Sequence, residues 1–532
     1  MKSFKNIAIA ITYILICLGT YGWFLGNPFI LDDELQILEN THIHSLSNLP
    51  SFFTSSSMGS GGAVEMTGIY YKPLMSTYYA LMWHFFGNDP SGYRLILFIL
   101  HALSAFFIFL ISLNFFKAPA QRQWSFILGL LFLLHPINTE VVLYLADAQD
   151  ILYLFFGLLS LIAIMQVEQK WLLSFCLLLS FSAGLLSKET GALFLGIGTA
   201  YSFLFHHKKW PLILAVSTFV FISYLAIRIS IGLTETQSPQ LLFHNADYLT
   251  RISMLPMIFY HYLEIFFFPW RLSVSSDFLL SELTLTNFWG PLVVCLLALF
   301  SFILLGRFWI RRGEGKEFSF FAFILFLWFI LHSHVLIPLD GIYADRWLYL
   351  ISWMGLSLLL MTLQRWLLTK PKFYLKYTLG IGFVFILAFA GRSFARGQDW
   401  SDPLKFYQRE AQLHPKDAVM NNNVGAILFR KGFTAEASSY FEAATLLNPT
   451  WGVAWNNLAA CFEASKNEFM AEKYYLKAIS LQDYPLAFEN YAKLLYRNRR
   501  AEDLKIFLNS KALPKLPNNK LLLAIKDETK NW

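Results

Sequence analysis

The sequence predicts an all-α protein in two parts: a polytopic transmembrane helical domain over residues 1–394, then a soluble α-solenoid over 400–532. Three observations lead there. Hydrophobic residues make up 56% of the 532 and charged ones only 14%, with 53 Phe among them. A soluble protein could not keep so much apolar surface dry. Long apolar runs recur along the chain and stop near Trp400. Beyond that point a helical pattern repeats every 34 residues.

The first span is expected at 7–26. Ile7–Phe24 is nearly free of charge and, at roughly 20 residues, long enough to cross a bilayer. No small-residue cleavage site follows it, so it reads as a retained span and not a signal peptide. The other spans are expected at 95–115, 124–143, 150–166, 171–187, 190–206, 210–231, 288–306, 319–337, 347–368 and 374–391, about eleven crossings in all. Basic clusters orient them. Lys2 and Lys5, Lys117 and Arg122, Lys170, and Lys208-Lys209 fall on one side, with Arg307, Arg311, Arg312 and Lys316 and then Arg365, Lys370, Lys372 and Lys376. The positive-inside rule makes that side cytoplasmic. The stretch 253–270 does not fit this parity. With Glu264 inside it and Pro269-Trp270-Arg271 at its end, it is assigned as an interfacial or re-entrant helix on the outer side.

This topology gathers scattered polar segments on the non-cytoplasmic face: loop 27–94, His135–Asp150, the Ser187-Lys188-Glu189 junction, loop 232–287, His332–Arg346 and everything after Arg392. Asp32, Asp33 and Glu34 directly follow the first span. Carboxylates at a membrane boundary are costly in low dielectric and usually serve ions, protons or substrate. The plainer reading is a solvated loop start whose acids cap the next turn. The formal charge of +7 comes from short loops and does not signal nucleic acid. Cys17, Cys176, Cys295 and Cys461 are scattered and suggest neither a disulfide framework nor a zinc site. The abundant Phe and Trp read as lipid-facing surface and interfacial belts.

In the C-terminal part Pro415 recurs as Pro449, Asn423 as Asn457, Ala437 as Ala471, Tyr440 as Tyr474 and Ala444 as Ala478, all at one offset of 34. That is the tetratricopeptide (TPR) signature. The clearest units are 417–450 and 451–484, preceded by a half-repeat Asp402–His414 and closed by a degenerate cap at 485–518. Stacked repeats make a concave surface for extended peptides or partner domains; the alternative is a purely structural cap. Asn421, Asn422, Asn423, Asn456 and Asn457 fall where the first helix of each unit lines that surface. Asparagine there bonds peptide backbone without reading side chains, or else only satisfies groups between repeats.

Several motifs occur in order: Leu31-Asp32-Asp33 with Ile37 and Asn40, Tyr71-Lys72-Pro73-Leu74, His101, and His135-Pro136-Ile137-Asn138-Thr139-Glu140. Asp150, Ser187-Lys188-Glu189-Thr190, Pro269 with Leu272-Ser273, and Ala344-Asp345-Arg346-Trp347-Leu348-Tyr349-Leu350 follow. In this order, with the repeats behind them, they resemble the C-superfamily membrane glycosyltransferases (GT-C) of the transmembrane-and-TPR O-mannosyltransferase-like group and its bacterial relatives. The chain departs from that pattern at Lys72, where the family commonly has Arg, and at Ala148, where the Gly-Arg-x-Asp segment has its arginine.

The resemblance implies a hexosyltransferase in a bacterial inner or cell membrane, with its repeats on the non-cytoplasmic side. It would move a sugar from a polyprenyl-phosphate donor to a hydroxyl of a protein or glycan acceptor. Asp32, matching the family's leading aspartate, is the candidate base, with Asp33 beside it as the other choice. Adjacent side chains on an extended backbone cannot both point into one pocket. Arg346 is suited to fork onto the leaving phosphate, and Lys72 and Lys188 to add point charges. Glu34, Glu140, Asp150, Glu189, Asp345 and His135 support these groups, and Asn422, Asn423, Asn456 and Asn457 meet the acceptor.

Plainer roles compete with these. Arg346 pairs with Asp345 or Glu189, Lys188-Glu189 is a structural pair, His135 caps a carbonyl, and His101 bonds a neighbouring helix. His332 and His334 are spaced for one face of a strand but lack a carboxylate at metal-binding spacing. No cofactor is expected, although a divalent ion at Asp32 or Asp33 stays open because some members of the wider superfamily are metal-assisted. Two other classes remain. One is a lipid-linked oligosaccharide ligase or polymerase, which would centre on a late outer loop. The other is a non-enzymatic scaffold, for which eleven spans are far more than anchoring requires.

Overall fold

A computed structural model describes residues 2–57, 70–118, 120–232, 247–274, 283–336, 339 and 341–529, less the side chains of residues 2–4 and 372. Segments 58–69, 233–246 and 275–282 of the expected outer loops therefore lie outside the described residues, as do the side chains of Lys2 and Lys372. Every regular element among the described residues is helical. The chain forms two compact units, and their boundary in the described residues falls between Ser401 and Asp402.

In the first unit nine described helices are long and apolar enough to cross a membrane, or ten if a bent pair counts as one span. Two segments account for the difference from eleven. The expected span 124–143 breaks by 47° between Gln121–Leu134 and Pro136–Leu143. His135 precedes a proline, which disfavours helical backbone, and it sits at φ −63, ψ 124. The expected span 190–206 is only the 14-residue helix Ala192–Phe205, because Lys188 is extended and Glu189–Gly191 form a 3₁₀ turn. Gly191 makes that turn possible: a Cβ there would lie 2.3 Å from the Gly184 carbonyl oxygen.

Three more expectations change. The stretch 253–270, expected as an interfacial or re-entrant helix, lies up to Phe267 within one continuous helix, Tyr248–Phe267, with Pro256 inside it, so the re-entrant alternative falls. Residues 391–399, between the last expected span and the repeats, continue the 28-residue helix Lys372–Asp399. His332 ends the helix Gly315–His332, and His334 follows at φ 58, so the two do not share a strand face.

Burial sorts these helices. Leu145–Gln166 and Asp345–Leu367 are each buried over 67% of their apolar stretch, while Leu285–Arg311 is buried over 6%. The inner helices are joined by polar contacts: His101 Nδ1 lies 2.7 Å from the Tyr349 hydroxyl, and Ser352 donates to Asn138 Oδ1 at 3.2 Å. With no water to compete, such groups tie helices together where apolar surface gains nothing over lipid.

The second unit stacks helices Pro403–Leu413, Ala418–Arg430, Thr434–Leu447, Gly452–Ala464, Glu468–Leu481, Pro485–Arg497 and Ala501–Phe507. Side-chain caps start several of them: Asp402 accepts from the Lys405 N–H, Asp417 from Val419 and Met420, and Asn467 from Met470. The repeated alanines Ala437, Ala444, Ala471 and Ala478 are fully buried. They let neighbouring helices approach closely, and a larger side chain there would overpack the contact by about 1–3 kcal/mol.

Candidate active site

The acidic motif is held by its own backbone. After the helix Lys2–Tyr21 and a 3₁₀ turn at Gly22–Phe24, Leu31 adopts φ 55, a left-handed conformation unfavourable for leucine. Strain of this kind costs about 1–3 kcal/mol and persists only where surroundings enforce it. Here two residues do so. Arg94 donates from Nε to the Leu143 carbonyl at 3.1 Å, from Nη2 to that of Pro28 at 2.9 Å, and from Nη1 to those of Leu25 and Asn27. Asp33 accepts from the Ala146 N–H at 2.7 Å and the Ile30 N–H at 3.3 Å. The loop after the first span is thereby stapled to residues 143–146.

This geometry separates the two aspartates. Asp33 is completely buried, and burial raises its carboxyl from 3.8 to about 7, against the opposing pull of the Arg94 charge. Asp32 is exposed, and its N–H donates to the Tyr144 hydroxyl at 3.1 Å. Tyr144 packs against Trp400, ring centroids 5.7 Å apart. Glu34 is half-buried in the single turn Glu34–Leu38 that follows. Only one acid of the pair is therefore open to solvent.

A charged cluster lies nearby. Arg346 Nη1 donates to Glu140 Oε1 at 2.7 Å, and its Nε stands 3.6 Å from Asp147 Oδ1, leaving the side chain 30% exposed. Its partners are thus neither Asp345 nor Glu189. Lys188 does not pair with Glu189 either: its Nζ reaches both oxygens of Asp150 at 2.7 Å, while Glu189 faces Arg228 at 3.4 Å. Lys72 is buried with its Nζ 4.1 Å from the centre of the Tyr70 ring. Burial lowers its pKa, and the charges of Glu189 and Asp150 work against that shift. The charge of Asp32 is felt at both Tyr144 and Asp147, which links the acidic loop to this cluster.

Two buried carboxylate oxygens in the cluster, Glu140 Oε2 and Asp147 Oδ2, have no hydrogen-bond partner among the described residues. Asp345 accepts from the Ser273 N–H at 3.0 Å and lies 3.6 Å from His261 Nε2, setting the backbone from which Arg346 projects. His135 lies in the break itself: its Nδ1 accepts from the Ile137 N–H at 3.3 Å, and its Nε2 is 3.2 Å from the Phe266 carbonyl oxygen. It supports the bend rather than facing the cluster. Among the described residues no group of three or more His, Cys, Asp or Glu is placed to hold a metal ion.

The repeat asparagines are largely occupied by one another. Asn457 donates to Asn422 at 2.9 Å, Asn456 to Asn457 at 3.1 Å, and Asn490 to Asn456 at 3.1 Å. Asn422 and Asn456 are buried within this ladder, which runs from repeat to repeat, and Asn423 is half-buried beside it.

Arg94, Tyr144, Asp147, Arg228 and His261 were not singled out from sequence. An arginine near the start of an otherwise apolar helix, as Arg94 is, carries a signal of its own, since such a charge must find partners. The others carry none until the chain is folded.

No family model matches the chain. Curated relatives do. A protein O-mannosyl-transferase of Caenorhabditis elegans is 22% identical over 85% of this chain and 64% of its own length. The Homo sapiens protein O-mannosyl-transferase TMTC3 is 24% identical over 95% of this chain and 58% of its own, and the Drosophila melanogaster Tmtc3 is 22% identical over 90% and 59%. The chain spans less than two thirds of the length of these relatives. One chain of the APC/C hetero-tetramer Cut9-Hcn1 aligns over 86% of this chain and 90% of its own at 13% identity and a TM-score of 0.25, too low to carry an argument. Across most of its length, then, the chain is similar to the protein O-mannosyl-transferases that resemblance in the motifs had suggested.

Proposed function

We propose that the chain is a membrane glycosyltransferase that moves a hexose, mannose by the name its relatives carry, from a polyprenyl-phosphate donor to a protein hydroxyl on the non-cytoplasmic face. The observation that carries this reading is the exposed Asp32, its backbone fixed to Tyr144 and its charge felt at Asp147, which the Arg346 guanidinium approaches. The acceptor hydroxyl oxygen attacks the anomeric carbon while its proton passes to Asp32. The bond from that carbon to the phosphate oxygen breaks, and its electron pair leaves with the lipid phosphate. Arg346, with Nη1 on Glu140 and Nε toward Asp147, keeps Nη2 for that phosphate. Because Asp33 is buried, a single carboxylate meets the sugar, which favours one displacement with inversion. The face is inferred from the basic loops alone, and the protein acceptor from the relatives' names together with the repeats.

The full chain in nanodiscs, given polyprenyl-phosphate mannose and a serine- and threonine-containing peptide, should add one hexose to the peptide by mass. Asp32→Asn should abolish that gain without changing the melting temperature. Transfer undiminished in Asp32→Asn would end the reading. Removing residues 402–532 should spare a small free acceptor and lose the natural one; equal loss of both would make the repeats structural.

A further inference from the structure

We infer that the membrane unit carries an anionic phospholipid on the outside of helix Gly290–Arg311, separate from the charged cluster around Arg346. Leu304, Arg307, Phe308, Arg311 and Arg312 line a cleft of about 470 Å³ at the C-terminal end of this helix. The spacing puts the three arginines along one side of the helix and its closing turn. All three are exposed, and none makes an ion pair with a carboxylate among the described residues. The nearest acid in sequence, Glu314, is already engaged by Lys117 and Arg365. The Arg312 guanidinium lies 4.5 Å from the centre of the Phe308 ring, which holds it over the apolar floor of the cleft.

The same stripe continues along the helix as Leu297, Phe300 and Leu304, which are 60%, 58% and 47% exposed. A lipid-exposed apolar track that ends in three unpaired guanidinium groups matches an acyl chain below a negative headgroup. Charge complementarity commits the site to a phospholipid that bears net negative charge: zwitterionic headgroups bring their own cation, and Arg forks onto phosphate oxygens. Elsewhere on the helix Gly306 and Trp309 are buried, and Trp309 Nε1 donates to Thr362 Oγ1 at 3.1 Å. The arginines can therefore change without disturbing the helix–helix contact. Basic residues at a span end also serve orientation, but orientation needs only charge, and not an apolar-floored cleft.

The test uses the full chain extracted from vesicles of phosphatidylglycerol and phosphatidylcholine, with retained lipid read by native mass spectrometry. The wild type should keep phosphatidylglycerol in preference. The triple variant Arg307→Gln, Arg311→Gln, Arg312→Gln should lose that preference by at least about tenfold, since each basic group near the surface contributes separately. A control removing three basic residues from other connections, Lys170→Gln, Lys208→Gln and Lys376→Gln, should leave it unchanged. Equal loss in the control would reduce the effect to general surface charge and overturn the site. So would retention by the triple variant, or displacement of the lipid by millimolar inorganic phosphate alone, which would mean that the cleft reads phosphate without its chain.

Discussion

One helix, Tyr349–Leu367, has an arginine network at each end, and the two networks differ in how completely they are satisfied. At one end Arg365 donates from Nε to Glu314 at 2.8 Å, from Nη1 to Gln364 at 2.7 Å and from Nη2 to the Phe115 carbonyl at 2.6 Å. Lys117 closes the other side of Glu314, and the Gln364 amide exchanges two hydrogen bonds with the Lys117 backbone. At the other end, roughly 28 Å away at 1.5 Å per residue, Arg346 has spare capacity and its carboxylate partners keep open oxygens. An unpaired buried acceptor costs about 1–3 kcal/mol. The satisfied network is a joint; the unsatisfied one keeps the donor and acceptors that the proposed phosphate site requires. Charge alone does not tell them apart, because both hold buried acids and a buried or half-buried arginine.

This contrast can be broken at several points. The largest effect is expected at Asp32: Asp32→Asn should slow transfer by about 10²–10⁴-fold, the usual cost of a lost base, with unfolding unaltered. An inactive Asp33→Asn beside an active Asp32→Asn would instead move the base to the buried acid. Glu314→Ala should do the reverse and lower stability by about 3–5 kcal/mol, because it strands Arg365 without its counter-charge. Activity per folded molecule should hold, read by transfer rate against the fraction resistant to thermal aggregation. A specific loss of turnover there would erase the distinction between the two ends. Arg346→Ala should cut kcat/KM for the lipid donor by about 10–100-fold per folded molecule, the worth of charge-assisted hydrogen bonds, and also lower melting, because it strands Glu140 and Asp147.

Two finer tests sharpen the comparison. Burial holds the Asp33 carboxyl up at about 7 in the folded chain, whereas it titrates near 3.8 when unconstrained. Between those values the folded protein keeps a proton that the unfolded chain releases. Its contribution to stability is therefore complete below about pH 4 and is lost as pH rises through about 7. Melting temperature should fall across that window in the wild type and fall less in Asp33→Asn; identical slopes would remove Asp33 as the cause. Lastly, cysteines placed at Ser57 and Lys466 should both react with an impermeant thiol reagent in intact spheroplasts, and one at Arg312 should not. Labelling of Ser57 and Lys466 from opposite sides would overturn the proposal that acids and repeats share the non-cytoplasmic side.

The membrane class, the positions of most helices and the 34-residue repeat were legible in the residues because each is a local property. Apolar run length and periodicity need no knowledge of what packs against what. The acidic motif and Arg346 were legible as unusual charges for the same reason. Tertiary structure alone decided which acid is exposed, because Asp32 and Asp33 are chemically alike and only the Arg94 and Ala146 contacts separate them. It also decided the partners. Arg346 finds Glu140 across 206 residues, and Lys188 finds Asp150 across 38, while the acids adjacent in sequence, Asp345 and Glu189, turn elsewhere. Neighbouring side chains point apart along the backbone, so an ion pair in a helical membrane protein is a statement about packing between helices, which no single segment contains.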